Sequence, residues 1–371
     1  MRRLTVVQLL PELDSGGVER STLEIAEALL RDGHRAVVVS AGGRLLPQLQ
    51  ALGAQHITLG IGRKSPLVLR HVPALRRLFA DVDADIVHAR SRLPAWLGWR
   101  ALRGMPVAAR PHFVTTAHGL NSPSRYSAIM ARGERTICVS HTVRDYLLTH
   151  YPALDPARLV VIPRGIDPAA FPHKPAPDHA ARARVAALHP QLAGDGPLLL
   201  MPGRGTRLKG HADGIALLAR LRAEGRDARL WMPGAVQAGR AAYIEELMQL
   251  ARDTGVDDAL AMTETTPAIA QAYAASDLVL QLSRKPEAFG RTVVEALAVG
   301  RPVLGWDHGG VGELLRELQP AGAVATFDAD ALARTAAALL DDPPVPAATM
   351  PYSLQAMQDA TLALYQALEA G

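Results

Sequence analysis

Apolar residues arrive in short runs, each ending in a glycine-rich or polar turn and followed by a segment whose apolar positions recur at helical spacing. In the first half the runs predict strands at Leu4–Leu10, Arg35–Ser40, His56–Leu59, Asp85–His88, Phe113–Ala117, Arg135–Val139 and Leu159–Ile162. Helices fit between them, from Val18 to near Asp32, then over 66–80, 93–102, 123–131 and 142–149. Strand and helix in alternation predict βαβ units, hence parallel sheets with right-handed crossovers. Pro168, Pro172, Pro175 and Pro177 then break regular structure over 167–179 and read as a linker. A second alternating series follows, with strands at 197–201, 229–232, 259–263, 277–282 and 302–306. Its helices run to Glu224 and over 243–254, 292–299, from Val311, and 326–340. The chain closes on an amphipathic helix over 357–370.

At 371 residues the chain suits two α/β domains, and its 49% hydrophobic and 20% charged content is that of a globular protein. The basic, apolar N-terminus meets Pro11, Glu12 and Asp14 without a small-residue cleavage site, so it reads as a first strand. No apolar run is long enough for a membrane span. The single cysteine, Cys138, excludes an internal disulfide framework and sits in an apolar run as an inert buried thiol. The net charge of +4 hides an asymmetry. Residues 1–165 carry 22 Lys and Arg against 12 Asp and Glu, a net of +10, which leaves −6 for the rest. Only the first half is therefore suited to an anionic partner.

Candidate chemistry gathers at strand ends. Gly16-Gly17 precedes the first helix and lets a ligand approach the backbone, although it is no G-x-G-x-x-G fingerprint. His88-Ala-Arg90-Ser-Arg92 and Thr115-Thr-Ala-His118-Gly119 end strands on the side that carries the ligand crevice in open α/β sheets. The bland alternatives are a tight turn, a basic solvent-facing loop and a structural histidine. Asp81-Val-Asp-Ala-Asp85 has a D-x-D spacing but reads as an acidic turn. Trp96 and Trp99, three apart on a helix, read as core, with a lipid-facing role as the alternative. In the second half Arg204 and Lys209 flank a glycine turn that feeds a helix, two fixed cations beside a helix N-terminus, as a pyrophosphate requires. Lys209 is not followed by Ser or Thr, so this is no Walker A loop. Glu287 and Glu295 stand eight apart, the first on the loop after a strand and the second one turn into a helix. Phe289-Gly290-Arg291 between them offers backbone N–H groups at the helix start. On spacing alone the pair is equally a solvated loop carboxylate and a helix-surface charge.

Glu287-Ala-Phe-Gly-x4-Glu295, with Gly-x-Pro-Val and Gly309-Gly310-Val-Gly-Glu-Leu behind it and Gly-Arg204-x4-Lys209-Gly before it, resembles the retaining glycosyltransferases of family GT4, which have the GT-B fold. The resemblance covers nearly the whole chain and is weakest over 40–110. It implies an α/β protein of two Rossmann-like parallel-sheet domains facing across a cleft, with the C-terminal helix crossing back to the first domain. The implied parts are an acceptor domain over 1–166, a linker over 167–190, a nucleotide-sugar domain over 191–352 and the returning helix over 353–371.

The resemblance also implies roles. Arg204 and Lys209 would clamp the diphosphate, Glu295 would take the ribose, and Glu287 and His118 would meet the transferred sugar. Gly16, Gly17, Phe289, Gly290 and Arg291 would line the donor site, and Thr263 and Glu264 would meet the base through main-chain groups. Arg90, Arg92 and Arg164 would bind the acceptor. Arg164 stands where most members carry Asn, and with the His-Ala-Arg-Ser-Arg segment it resembles the lipopolysaccharide-core branch.

The expected enzyme is a hexosyltransferase that needs no metal or other cofactor besides its nucleotide diphosphate sugar. Its acceptor would be an anionic glycolipid or oligosaccharide, met in the cytoplasm with peripheral contact to the inner membrane face, and nucleic acid is not expected. A nucleotide-sugar 2-epimerase of the same build and a polyanion-binding module are the alternatives.

Overall fold

The computed structural model describes residues 2–14, 16–174 and 176–370. The chain divides into two compact units, Met1–Gly165 with Leu354–Gly371, and Ile166–Ser353.

In the first unit β1 (Thr5–Leu9), β2 (Arg35–Ser40), β3 (Gln55–Thr58), β4 (Ile86–Ala89), β5 (His112–Ala117), β6 (Arg135–Cys138) and β7 (Leu159–Val161) form one sheet. Its order is β3-β2-β1-β4-β5-β6-β7, and every pair is parallel. The strands are apolar on both faces because both are covered. Val6, Val38, Ile86 and Val114 enter one core, and their neighbours Val7, Val37 and Val87 enter the other, the period-two alternation of a strand. The final helix, Leu354–Ala370, belongs to this unit, with Met357, Leu362 and Tyr365 in its first core. Beneath that helix the buried His88 ring lies 2.6 Å from both the Tyr365 hydroxyl and Thr116 Oγ1.

The second unit repeats the plan. β8 (Leu198–Leu200), β9 (Arg229–Pro233), β10 (Leu260–Thr263), β11 (Leu278–Gln281), β12 (Val303–Trp306) and β13 (Ala323–Val324) lie in the order β10-β9-β8-β11-β12-β13. All are parallel. Strand order reverses between β1 and β4 in one unit and between β8 and β11 in the other. Such switch points open a crevice at the carboxyl ends of the strands.

Several elements differ from the sequence reading. Residues 123–131 form only a 3-10 turn over Ser127–Ala131, since Ser124 Oγ takes the Ser127 N–H at 3.0 Å and competes with helix there. The stretch read as linker contains a helix, His179–Leu188, capped by Asp178, and Pro175 lies outside the described residues. The helix read from Thr326 starts at Ala329, where Asp328 caps it. The short helices Leu46–Ala51 and Ile269–Ala275 are too brief to show a helical period in the sequence. Trp96 and Trp99 are half-buried rather than core. They pack edge to face at 5.5 Å, with the Arg132 guanidinium over both rings.

Candidate active site

In the second unit the turn after β8 is shaped by glycine. Gly203 N–H donates to Pro233 O at 3.0 Å, and the Lys209 stem runs beside Gly203, 3.7 Å from where a Cβ would stand. Gly210 has φ +74, and a Cβ there would lie 2.0 Å from Leu282 O. The turn therefore presses against the end of β11 and opens the helix His211–Ala223. Arg284 N–H, donating to Leu208 O at 2.8 Å, ties the same two loops together.

Across that contact Lys209 Nζ meets Glu287 Oε1 at 2.5 Å. The same oxygen accepts from Ser283 Oγ at 2.5 Å. The Glu287 carbonyl accepts from Gly310 N–H at 2.8 Å. Cβ atoms at Gly309 and Gly310 would lie 2.8 Å from Glu287 O and 2.2 Å from Phe289 O. The glycine pair thus lets the Glu287 loop lie on the start of helix Gly309–Leu318, which begins two residues before the expected Val311.

Glu295 lies in helix Arg291–Val299 and is 9% exposed. Its oxygens accept from Tyr273 Oη at 2.9 Å and from Arg291 Nε at 2.8 Å. A pocket lined by Gly203, Arg204, Gly234, Thr265, Tyr273, Thr292 and Glu295 brings this carboxylate and the Arg204 turn together. Arg204 is exposed and makes no ion pair among the described residues. Gly290 begins the helix as expected, with φ +126. Phe289 is buried and stacks edge to face on Tyr352 at 5.8 Å, so its side chain packs rather than lining the pocket.

Thr263 and Glu264 do not line it either. Their carbonyls already accept from Gly234 N–H, and Thr263 O accepts from Val236 N–H as well, while Thr263 Oγ1 takes the Trp231 indole N–H at 3.0 Å. Thr265 and Thr266 stand at the pocket instead. Tyr273, Ser283 and Thr292 were missed, and only a tyrosine inside an alanine-rich segment hinted at the first.

In the first unit one pocket gathers Glu19, Arg90, Arg92, Thr116, His118 and Gly119. Arg90 is 3% exposed. Its Nε donates to Gln8 Oε1 at 2.7 Å and its Nη1 to Ser21 Oγ at 3.1 Å, while its buried Nη2 has no partner. Arg92 donates to Ser127 Oγ at 3.2 Å and lies over the Tyr126 ring. Arg164 does not line this pocket. It bonds His118 Nδ1 and lines a smaller cavity with His88 and Arg90.

Burial, with Arg164, Arg90 and His88 nearby, holds the His118 imidazole well below its ordinary value, so it is neutral at pH 7. With Nδ1 facing a guanidinium that can only donate, the proton belongs on Nε2, which is buried and unpartnered. Gly16 has φ +148, and a Cβ there would lie 2.5 Å from Glu19 Oε2, whereas Gly17 has open space. Burial raises the Glu19 carboxyl.

Other candidates are structural. Asp85 accepts from Thr5 N–H at 2.7 Å and from Arg2 at 2.6 Å. Cys138 is buried, and its thiol is pushed up to about 12. Among the described residues, no three His, Cys, Asp or Glu side chains gather as a metal site. Among the same residues, no helix is long and apolar enough to cross a membrane.

Residues 15–170 match Glycosyltransferase Family 4, and residues 189–354 match Glycosyl transferases group 1. The D-inositol 3-phosphate glycosyltransferase 1 of Catenulispora acidiphila is 27% identical over 359 residues, 89% of this chain and 84% of that protein. A glycosyltransferase from Rickettsia africae superposes with a TM-score of 0.86 at 26% identity, covering 99% of both chains. Anabaena Alr3699/HepE, in complex with UDP and glucose, superposes at 0.81 with 19% identity over 98% of this chain and 100% of that one. With a glycosyltransferase model matched across each half and two Rossmann-like parallel sheets of GT-B type beneath them, the chain is a glycosyltransferase.

Proposed function

We propose that this enzyme transfers a hexose from a nucleotide diphosphate sugar to an anionic acceptor, with retention of anomeric configuration and without a metal. The observation that carries the reading is the pocket holding Arg204 and Glu295, with Lys209 beside it. Glu295 accepts the ribose hydroxyls, and Arg204 and Lys209 take the diphosphate. As the bond from the anomeric carbon to the diphosphate oxygen breaks, negative charge grows on the leaving group. Two cations placed at the pocket stabilise that charge once Lys209 leaves Glu287, which removes the need for a separate metal. The acceptor oxygen forms the new bond on the same face, and its proton passes to the leaving phosphate. Glu287 orients the sugar.

The acceptor reading rests on the +10 balance of residues 1–165 and on Arg90 and Arg92 in one pocket, with Arg90 Nη2 buried and unpaired. A phosphorylated polyol and a phosphorylated lipopolysaccharide core both satisfy that chemistry. The Catenulispora relative, named for D-inositol 3-phosphate, favours the first. The basic residues 63–77, with Leu67 exposed among them, suit peripheral contact with an anionic membrane face in the cytoplasm.

The test is nucleoside diphosphate release from UDP-, GDP- and ADP-hexoses, with and without inositol 3-phosphate or a phosphorylated core oligosaccharide, and product anomers read by NMR. Acceptor-dependent release with retained configuration is expected. A free sugar formed from the donor alone would point to the epimerase, and an inverted product would refute retention.

A further inference from the structure

The Glu295 carboxylate is held on both oxygens before any ligand arrives. Arg291 Nε reaches it from the preceding turn of its own helix at 2.8 Å. The other oxygen is held by Tyr273, whose hydroxyl lies 2.9 Å from Oε2 and whose ring is 1% exposed. Tyr273 comes from a separate helix, Ile269–Ala275, and lines the same pocket as Glu295, Arg204 and Thr292. Burial, and then the Glu295 charge, pushes the phenol well above its ordinary value. The tyrosine proton therefore stays on its oxygen and is committed to Glu295.

A carboxylate has about four acceptor positions, two on each oxygen. One on each oxygen is taken, so the remaining two have a fixed direction. A cis-diol presents two donors at a fixed separation and needs such an orientation. Without the phenol, the nearest fixed donor is Arg291, whose planar fork can take both carboxylate oxygens and turn the free lone pairs away from the pocket.

We propose that Tyr273 is a positioning residue that aims Glu295 at the ribose diol and so sets the preference for ribonucleotides over 2′-deoxyribonucleotides. This rests on the reading of Glu295 as the ribose ligand. The tyrosine touches no reacting atom, and its effect belongs in nucleotide selectivity rather than in the chemical step.

Tyr273→Phe removes the hydroxyl and keeps the ring, which packs against Phe171 with centroids 6.2 Å apart. Calorimetric titration of the full chain with UDP and 2′-deoxy-UDP, and likewise the guanosine and adenosine pairs, gives the ribo-to-deoxy affinity ratio. A hydrogen bond to a charged group predicts a ratio of roughly 10-fold or more in the wild type. Tyr273→Phe should bring it to about 3-fold or less, with deoxy binding little changed and the melting temperature held. Tyr273→Met, which fills the buried site without a hydroxyl, should bring the ratio to the same low value and keeps the proposal testable if the phenylalanine variant folds poorly.

Glu295→Gln separates the two readings. If it leaves the ratio at its wild-type value, or if the wild type shows no preference, Glu295 is not the ribose ligand and both readings fall. A ratio that collapses in Glu295→Gln but persists in Tyr273→Phe overturns only the role of Tyr273.

Discussion

Lys209 Nζ rests on Glu287 Oε1 at 2.5 Å. The cation proposed for the diphosphate is thus neutralised by the carboxylate proposed for the sugar. A diphosphate entering beside Lys209 must compete with Glu287, and Glu287 must turn toward the sugar as it lets go. Ser283 Oγ on the same carboxylate oxygen gives that oxygen a partner when Lys209 leaves.

Glu287→Gln frees Lys209 and removes the sugar-orienting charge. An ion pair of this exposure is worth about 1 kcal/mol, so nucleoside diphosphate affinity should rise about fivefold while turnover falls roughly 100-fold as the sugar loses its orientation. Titration calorimetry and initial rates check both. Weaker diphosphate binding in this variant would mean that the pair does not restrain Lys209.

Gly210→Ala places a Cβ 2.0 Å from Leu282 O at φ +74. The left-handed backbone costs an alanine about 1–2 kcal/mol, and the contact with a main-chain oxygen adds to it. The melting temperature should fall, and nucleotide binding should fall with it because the Lys209 turn is displaced. Gly17→Ala, with nothing within 4 Å of the new Cβ, is the control and should leave the melting temperature within a few degrees.

The buried His88 makes the first unit acid-sensitive. Its imidazole is held well below its ordinary 6.5, by burial first and then by Arg90 and Arg164. The unfolded chain therefore takes up this proton before the folded chain does. The stability at stake is intact above about pH 6.5 and is lost as the pH falls below it, at about 1.4 kcal/mol per pH unit for one proton. Urea midpoints at pH 7.5 and 5.5 should separate more in the wild type than in His88→Gln. An equal separation would show that His88 does not carry the effect.

The sequence made the sheets legible because parallel strands buried on both faces read as unbroken apolar runs, as Val37-Val38-Val39 does. The glycines and cations of the Arg204–Gly210 turn were legible because a tight turn, a cation pair and a helix start each leave a local mark. The braces were not. Tyr273 meets Glu295 from another helix, and Arg164 meets His118 from 46 residues away. No periodicity links such positions. The inward packing of the Phe289 ring has the same origin, since only Tyr352, far along the chain, decides it.

Everything above turns on a nucleotide-sugar site built by Arg204, Lys209 and Glu295 in the second unit. Thermal-shift titration of purified protein with UDP-, GDP- and ADP-sugars, repeated on Arg204→Ala and Glu295→Ala, tests it most directly. Stabilisation by one nucleotide series is expected, lost in both folded variants, with turnover down about 10²–10³-fold for the lost cation. No shift with any of the three in folded wild-type protein, or an undiminished shift in both variants, would contradict it.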